Sequence, residues 1–165
     1  MAAMRCSSPA RVSRYTHWIS APPVYGNSAK LARILGISER VKTTVHDVRT
    51  PLPLPDASTD AVFVHMLLCM ALFTEQIHAA VGEVRRVLRP GGLFVYTVRH
   101  TGDPHYGAGI SHDDNIYEHG GFAVHFFACD LVRALAEGWT LIDIHAFEEG
   151  DLPRRLWRIT QIRTA

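Results

Sequence analysis

Arg99, His100, Asp103, His105 and Tyr106 fall within eight residues, and His112, Asp113, Asp114, Tyr117, Glu118, His119 and His125 follow them. An imidazole titrates near neutrality and can remove a proton from an oxygen or nitrogen, so His100 and His105, with the phenol of Tyr106, are candidate catalytic groups. Arg99, Asp103 and Tyr117 supply a cation, an acceptor and an aromatic edge, which suits them to holding a substrate. The same residue types could ligate a metal, and a metal-dependent hydrolase would use them so. No HExxH or comparably short-spaced pair occurs, and no metal site is expected.

The elements that position this segment follow from breakers and periodicity. Asn27 or Ser28 can cap a helix whose apolar Leu31, Ile34 and Leu35 keep helical spacing, with Gly36 ending it. Val41 to His46 reads as a short strand that delivers Asp47 and Val48 at its carboxyl end. Pro51, Pro53 and Pro55 make the next stretch a loop. Asp60 to His65 is apolar through its middle, as a buried parallel strand is, and ends at His65 and Met66. Thr74 caps a helix reaching Leu88, in which Ile77, Val81, Val84 and Leu88 share a face while Glu83 and Arg85 read as solvated charges. Arg89-Pro90-Gly91-Gly92 stops that helix, and Leu93 to Val98 is the next strand.

Beyond it, Arg99 to Gly121 reads as one long loop, the kind that is usually functional. A short extended segment (Phe122–Phe127), a helix (Asp130–Glu137) and two strands (Trp139–Phe147, Leu156–Arg163) complete the chain. The last two strands are joined by a short turn and should pair antiparallel. Phe122, Phe126, Phe127 and Trp139 read either as core or as walls of an apolar pocket.

The 165 residues are 47% hydrophobic, enough for one compact domain, and the net charge of +1 excludes a dedicated nucleic-acid binder. Residues 1–38 contain no Asp or Glu, so all sixteen acids lie beyond them. Cys6, Cys69 and Cys129 are too few and too scattered for a disulfide framework, and no stretch is long and apolar enough to cross a membrane. A cytoplasmic protein with reduced thiols is the expectation.

The run Arg85-Arg86-Val87-Leu88-Arg89-Pro90-Gly91-Gly92-Leu93-Phe94-Val95, with Asp47 and Leu52-Pro53-Leu54-Pro55-Asp56-Ala57-Ser58-Thr59-Asp60-Ala61-Val62 upstream, resembles the C-terminal portion of class I S-adenosylmethionine-dependent methyltransferases of the type 11 kind. The resemblance implies S-adenosylmethionine as cofactor and a small-molecule methyl acceptor. It implies that Asp47 and Val48 meet the adenine, an acceptor-only carboxylate matching an amine donor. His65 and Met66 would line the pocket near the methionine portion. Substrate then falls to Arg99, Asp103 and Tyr117, with His100, His105 or Tyr106 as base.

The resemblance covers roughly residues 27–165. The glycine-rich turn that follows the first strand in this family has no counterpart before residue 27, where only Gly26 occurs. The expected fold is therefore α/β, an incomplete Rossmann-like methyltransferase sheet, mostly parallel, with an antiparallel C-terminal hairpin. Residues 1–26 are expected to be irregular, as in a truncated or frame-shifted product. In the family's strand order 3-2-1-4-5-7-6, loss of strands 1 and 2 would leave Asp60–His65 as an open edge, inviting self-association or a partner chain. Methyl transfer impaired by the missing loop is one functional expectation; a non-catalytic remnant or partner subunit is the other.

Overall fold

The computed structural model describes residues 2–4, 15–19, 30–150 and 154–165. Its strands are β1 (Ala2–Met4), β2 (Tyr15–Ile19), β3 (Val41–Val45), β4 (Thr59–His65), β5 (Leu88–Arg99), β6 (Ile110–Ser111), β7 (Ile116–His119), β8 (Phe122–His125), β9 (Trp139–Glu149) and β10 (Arg154–Arg163). Two helices, α1 (Thr74–Val87) and α2 (Cys129–Leu135), join a helical segment at 30–34. No helix among the described residues is long and apolar enough to cross a membrane.

Seven strands form one sheet in the order β3-β2-β1-β4-β5-β10-β9, and β6-β7-β8 form a second, three-stranded sheet. The larger sheet thus has the order implied by the resemblance, with β1 and β2 in the two places expected to be empty. The expected irregular segment 1–26 falls mostly outside the described residues; within it, Ala2–Met4 and Tyr15–Ile19 are strands of the sheet. The open edge expected at β4 does not exist, because β1 pairs with it through Ala2↔Phe63 and Met4↔Ala61. The unpaired edges are β3 and β9.

The α/β architecture and the antiparallel β9–β10 hairpin are as expected, but the sheet is mixed rather than mostly parallel. β2–β3 and β4–β5 are parallel, whereas β1 runs against both β2 and β4. Reversal of β1 has a consequence for the site: its last residue, Met4, lies beside Ala61, at the end of the sheet away from the carboxyl ends of β4 and β5.

The core lies between the sheet and the two helices. α1 buries Ile77, Ala80, Val81, Val84 and Val87 along one stripe, and β4 and β5 turn Val62, Val64, Phe94, Tyr96 and Val98 toward it. Each such large apolar side chain contributes roughly 1.5–3 kcal/mol of transfer free energy. Arg89 to Gly92 is extruded where pairing jumps from Thr59↔Leu88 to Ala61↔Leu93; a Cβ at Gly92 would stand 2.8 Å from the Arg89 carbonyl oxygen. The Leu31, Ile34 and Leu35 stripe is exposed, and among the described residues of that helix Ala32 is buried.

Two side chains taken at sequence level as unremarkable fix the loops around the site. Glu83, expected to be solvated, accepts the Leu52 N–H at 2.8 Å and pairs with Arg86, which also donates to the Leu52 and Leu54 carbonyls; the proline loop is thereby tied to α1. Thr74 is the first helical residue rather than the cap. Its backbone N–H and its hydroxyl both donate to Asp114, which adopts a positive φ with Asn115 in the β6–β7 turn. An anion at a helix start is favoured by the free N–H groups there.

The segment expected as one long loop stays irregular to Gly109 but then forms β6 and β7, which pair with β8, the extended segment expected from Phe122. Gly109 enters this small sheet with φ +85°, and a Cβ there would overlap the Glu118 carbonyl oxygen. Gly107 has a similar φ of +81° with open space around it. Gly109→Ala is expected to destabilise by more than the about 1–3 kcal/mol that the backbone conformation alone costs. Gly107→Ala should show only that conformational part. Thermal unfolding of the two variants side by side measures the difference, and equal losses would mean that the β6–β7 contact is not formed.

Candidate functional site

The carboxyl ends of β4 and β5 open into a cleft of about 540 Å³, lined also by β7 and β8 and by the adjoining ends of β9 and β10. His65, Met66 and Met70 line it from β4 and the turn after it, and Arg99 and His105 from β5 and its following loop. Tyr117, His119, Phe122, Val124 and Phe126 come from the small sheet and its exit, and Glu149 and Arg154 from the hairpin.

His65 sits where a strand-end ligand group should be. Its Nδ1 is 2.8 Å from Thr97 Oγ1, and Thr97 in turn accepts the Met66 N–H at 3.1 Å. Its Nε2 is 3.6 Å from Glu149 Oε2. When Nδ1 carries the proton and donates to Thr97, Nε2 presents a lone pair beside a carboxylate. Met66 adopts φ +54°, a left-handed conformation costly for an unbranched, non-glycine residue and held here by its bonds to the Thr97 carbonyl and hydroxyl.

Arg99 and Asp103 form a buried pair beneath the cleft. The Asp103 side chain is wholly inaccessible and that of Arg99 is 10% exposed. Asp103 accepts Arg99 Nε–H at 3.0 Å, a second bond from Nη2, and the backbone N–H groups of His105 and Arg155, each at 2.9 Å. Burial works against its charged form, but these donors outweigh it and hold the carboxyl below its ordinary value. Asp103, expected to contact substrate, instead positions Arg99. His105 accepts from Arg99 Nη2 at 2.7 Å through Nδ1, which leaves its proton on Nε2. That makes His105 a donor to the cleft rather than the base expected of it.

Two other expected catalytic groups lie off the cleft. His100 stacks on Trp157 with ring centres 4.4 Å apart and accepts the Gly102 N–H at 3.0 Å; burial, with Arg155 nearby, lowers its pKa despite Asp103. Tyr106 donates its hydroxyl to Asn115 and packs edge-on against Tyr117 and Phe126. Tyr106 thus supports two wall residues rather than acting on a ligand. Among the described residues, no three His, Cys, Asp or Glu side chains are grouped to hold a metal ion.

Asp47 and Val48 follow β3 but do not line the cleft. Val48 packs on the core. The Asp47 carboxylate is clamped by Arg49: Nε reaches both oxygens (2.9 and 3.1 Å), Nη2 lies 2.6 Å from Oδ2, and the backbone N–H is 3.0 Å from Oδ1. These bonds lower its pKa to about 2.

Sequence reasoning placed His65, Met66, Arg99 and Tyr117 at one site, and the structure brings these four together with His105. It missed Glu149, Arg154 and His119. The acid-then-base order around the Gly150 turn was the available signal, but it marks a hairpin and not the direction in which the hairpin leans.

Residues 21–96 match the family model described as Methyltransferase domain. Among solved structures, the chain is similar to a SAM-dependent methyltransferase from Methanosarcina mazei, with a TM-score of 0.72 and 15% identity over 90% of this chain and 81% of that one. It is also similar to 1,6-didemethyltoxoflavin-N1-methyltransferase from Burkholderia thailandensis, solved with 1,6-didemethyltoxoflavin and S-adenosylhomocysteine (TM-score 0.68, 18% identity, 91% and 61% covered). A third is the N-methyltransferase NodS from Bradyrhizobium japonicum with S-adenosylhomocysteine (TM-score 0.67, 13% identity, 91% and 66% covered). At these identities the likeness is one of fold. No curated protein sequence matches the chain.

Proposed function

We propose that this chain, whose residues 21–96 match the methyltransferase family model and whose fold is that of solved methyltransferases, transfers a methyl group from S-adenosylmethionine to a small-molecule acceptor in the cleft. The observation that carries this reading is the convergence of His65 and the strained Met66, at the end of β4, on an apolar cleft bordered by donors. Open α/β sheets bind ligands at that end.

When bound, S-adenosylmethionine would supply an electrophilic methyl group on a sulfonium, whose thioether is the leaving group. His65 takes the acceptor's proton at Nε2, Glu149 stabilises the imidazolium so formed, and Thr97 holds the ring in place. Phe126, Tyr117 and Val124 exclude water and orient the acceptor.

The chain's residues fit the cofactor at its methyl end better than at the other. Asp47 and Val48 would meet the adenine, yet Arg49 already fills the Asp47 acceptor positions. Residues 5–14, which follow β1, contain no glycine, and β1 ends away from the cleft. Weak cofactor retention follows.

Calorimetric titration of the whole chain with S-adenosylmethionine and S-adenosylhomocysteine tests the reading. Saturable binding is expected, and Arg49→Ala should tighten S-adenosylhomocysteine on the order of fivefold, the ~1 kcal/mol of one freed hydrogen bond. A folded protein that binds neither compound, before or after Arg49→Ala, would be a non-catalytic relative.

A further inference from the structure

We propose that the cleft selects a planar acceptor bearing a carboxylate, with Arg99 as the residue that recognises the anion and His105 and Arg154 assisting it. This rests on the reading of the cleft as the acceptor site. An accounting of the Arg99 donors carries it. A guanidinium has five N–H groups in a fixed fork. Nε–H goes to Asp103, and Nη2 serves Asp103 and His105. Nη1, with two N–H groups, has no partner among the described residues and is not one of the buried atoms closed off from solvent, although the side chain as a whole is 10% exposed. Because Arg99 lines the cleft, that is where Nη1 finds an accessible surface.

An unused pair of donors on a cation already locked in place is a prepared anion site. Asp103 fixes the guanidinium along its Nε–Nη2 edge, so little side-chain entropy remains to be lost when a ligand arrives. His105 adds a donor at Nε2, since its Nδ1 is occupied by Arg99. Arg154 enters the cleft without an ion pair of its own among the described residues. Glu149, the acidic residue in the lining, lies 3.6 Å from His65, on the base side of the cleft.

The walls set the rest of the ligand. The Arg99 guanidinium lies 5.1 Å from the centre of the Phe126 ring, and Tyr117 packs edge-on to Phe126 at 6.2 Å. With Phe122, Val124 and Met70 they give an apolar slot beside the cationic group, in a cleft of the size that takes a small organic molecule. A flat ring in the slot would set its carboxylate toward Arg99 and its reacting oxygen or nitrogen toward His65. An amine in the carboxylate's place would face cations and be rejected.

The test is equilibrium binding of three isosteric probes, 2-naphthoate, 2-naphthamide and 2-naphthylmethylamine, to the full chain, followed by calorimetry and by shifts of its amide resonances. Naphthoate is expected to bind at least about tenfold more tightly than the amide, with no binding of the amine. Arg154→Gln, at the rim, should weaken naphthoate about threefold, and the double variant Arg99→Gln/Asp103→Asn, which removes both buried charges together, should abolish the preference over the amide. Equal affinity for acid and amide, or a preference that survives the double variant, would overturn the proposal, as would failure of every probe to bind the folded protein. Naphthoate binding by a chain that binds no S-adenosylhomocysteine would uphold the anion site and defeat the methyltransferase reading, so the two failures are separable.

Discussion

Asp103→Ala is expected to cost about 3–5 kcal/mol of stability, because it leaves the Arg99 charge buried without its partner. In a chain of this size that corresponds to a fall of roughly 6–20 °C in the unfolding midpoint. The loss is so large because Asp103 joins three parts of the structure: Arg99 at the end of β5, the His105 N–H in the next loop, and the Arg155 N–H at the start of β10. Asp103→Asn keeps the shape and should lose less. Its pH dependence also has a definite sign. The folded carboxyl lies below the ordinary aspartate value of 3.8, so the unfolded state binds the proton more readily. The stabilisation is therefore complete above about that value and is lost as pH falls through it toward the folded one. Urea titrations between about pH 3 and 7 should show a steeper acid loss in the native chain than in Asp103→Asn. Equal slopes would mean that Asp103 is not ionised and buried as described.

His65→Ala is expected to lower the rate of methyl transfer by about 10²–10⁴, the range of a positioned general base, while S-adenosylhomocysteine binding stays within about twofold. His65 is half-exposed, and the variant gives up one hydrogen bond to Thr97, so the fold should survive. Glu149→Gln, which removes the charge that steadies the imidazolium, should cost about tenfold, and His105→Gln, which keeps a donor in the cleft, should cost less than His65→Ala. Steady-state rates with an acceptor of the class proposed above measure all three. A His105 variant that fails while His65→Ala works would return the base to His105 and require Arg99 to leave its Nδ1.

How much of this was legible depends on the range of the interactions involved. The stripe Ile77, Val81 and Val84 and the apolar run of β4 declare their elements within a dozen residues, because burial of one helix face or both strand faces writes a local period. The Pro-Gly-Gly break after α1 is equally local. β6 and β7 left no such trace: strands of two and four residues are held by cross-strand pairing and by Asp114 reaching Thr74, forty residues away. The direction of β1 has no period at all, since alternation of side chains is the same for a strand run either way.

For the site, the sequence by itself determined which chemistry was available: a His at the end of β4, an Arg and an Asp four residues apart after β5, an acid at the end of β3. Only the tertiary structure decided what each could do. Asp103 is sealed among Arg99 and the backbone N–H groups of His105 and Arg155, whereas Asp47 meets Arg49 in the open. The Nδ1 atoms of His65 and His105 are engaged by different partners: Arg99 can only donate, which fixes the His105 tautomer, whereas the Thr97 hydroxyl can donate or accept. The tautomer, the burial and the unused donor are properties of neighbours, and neighbours distant in sequence are chosen by packing.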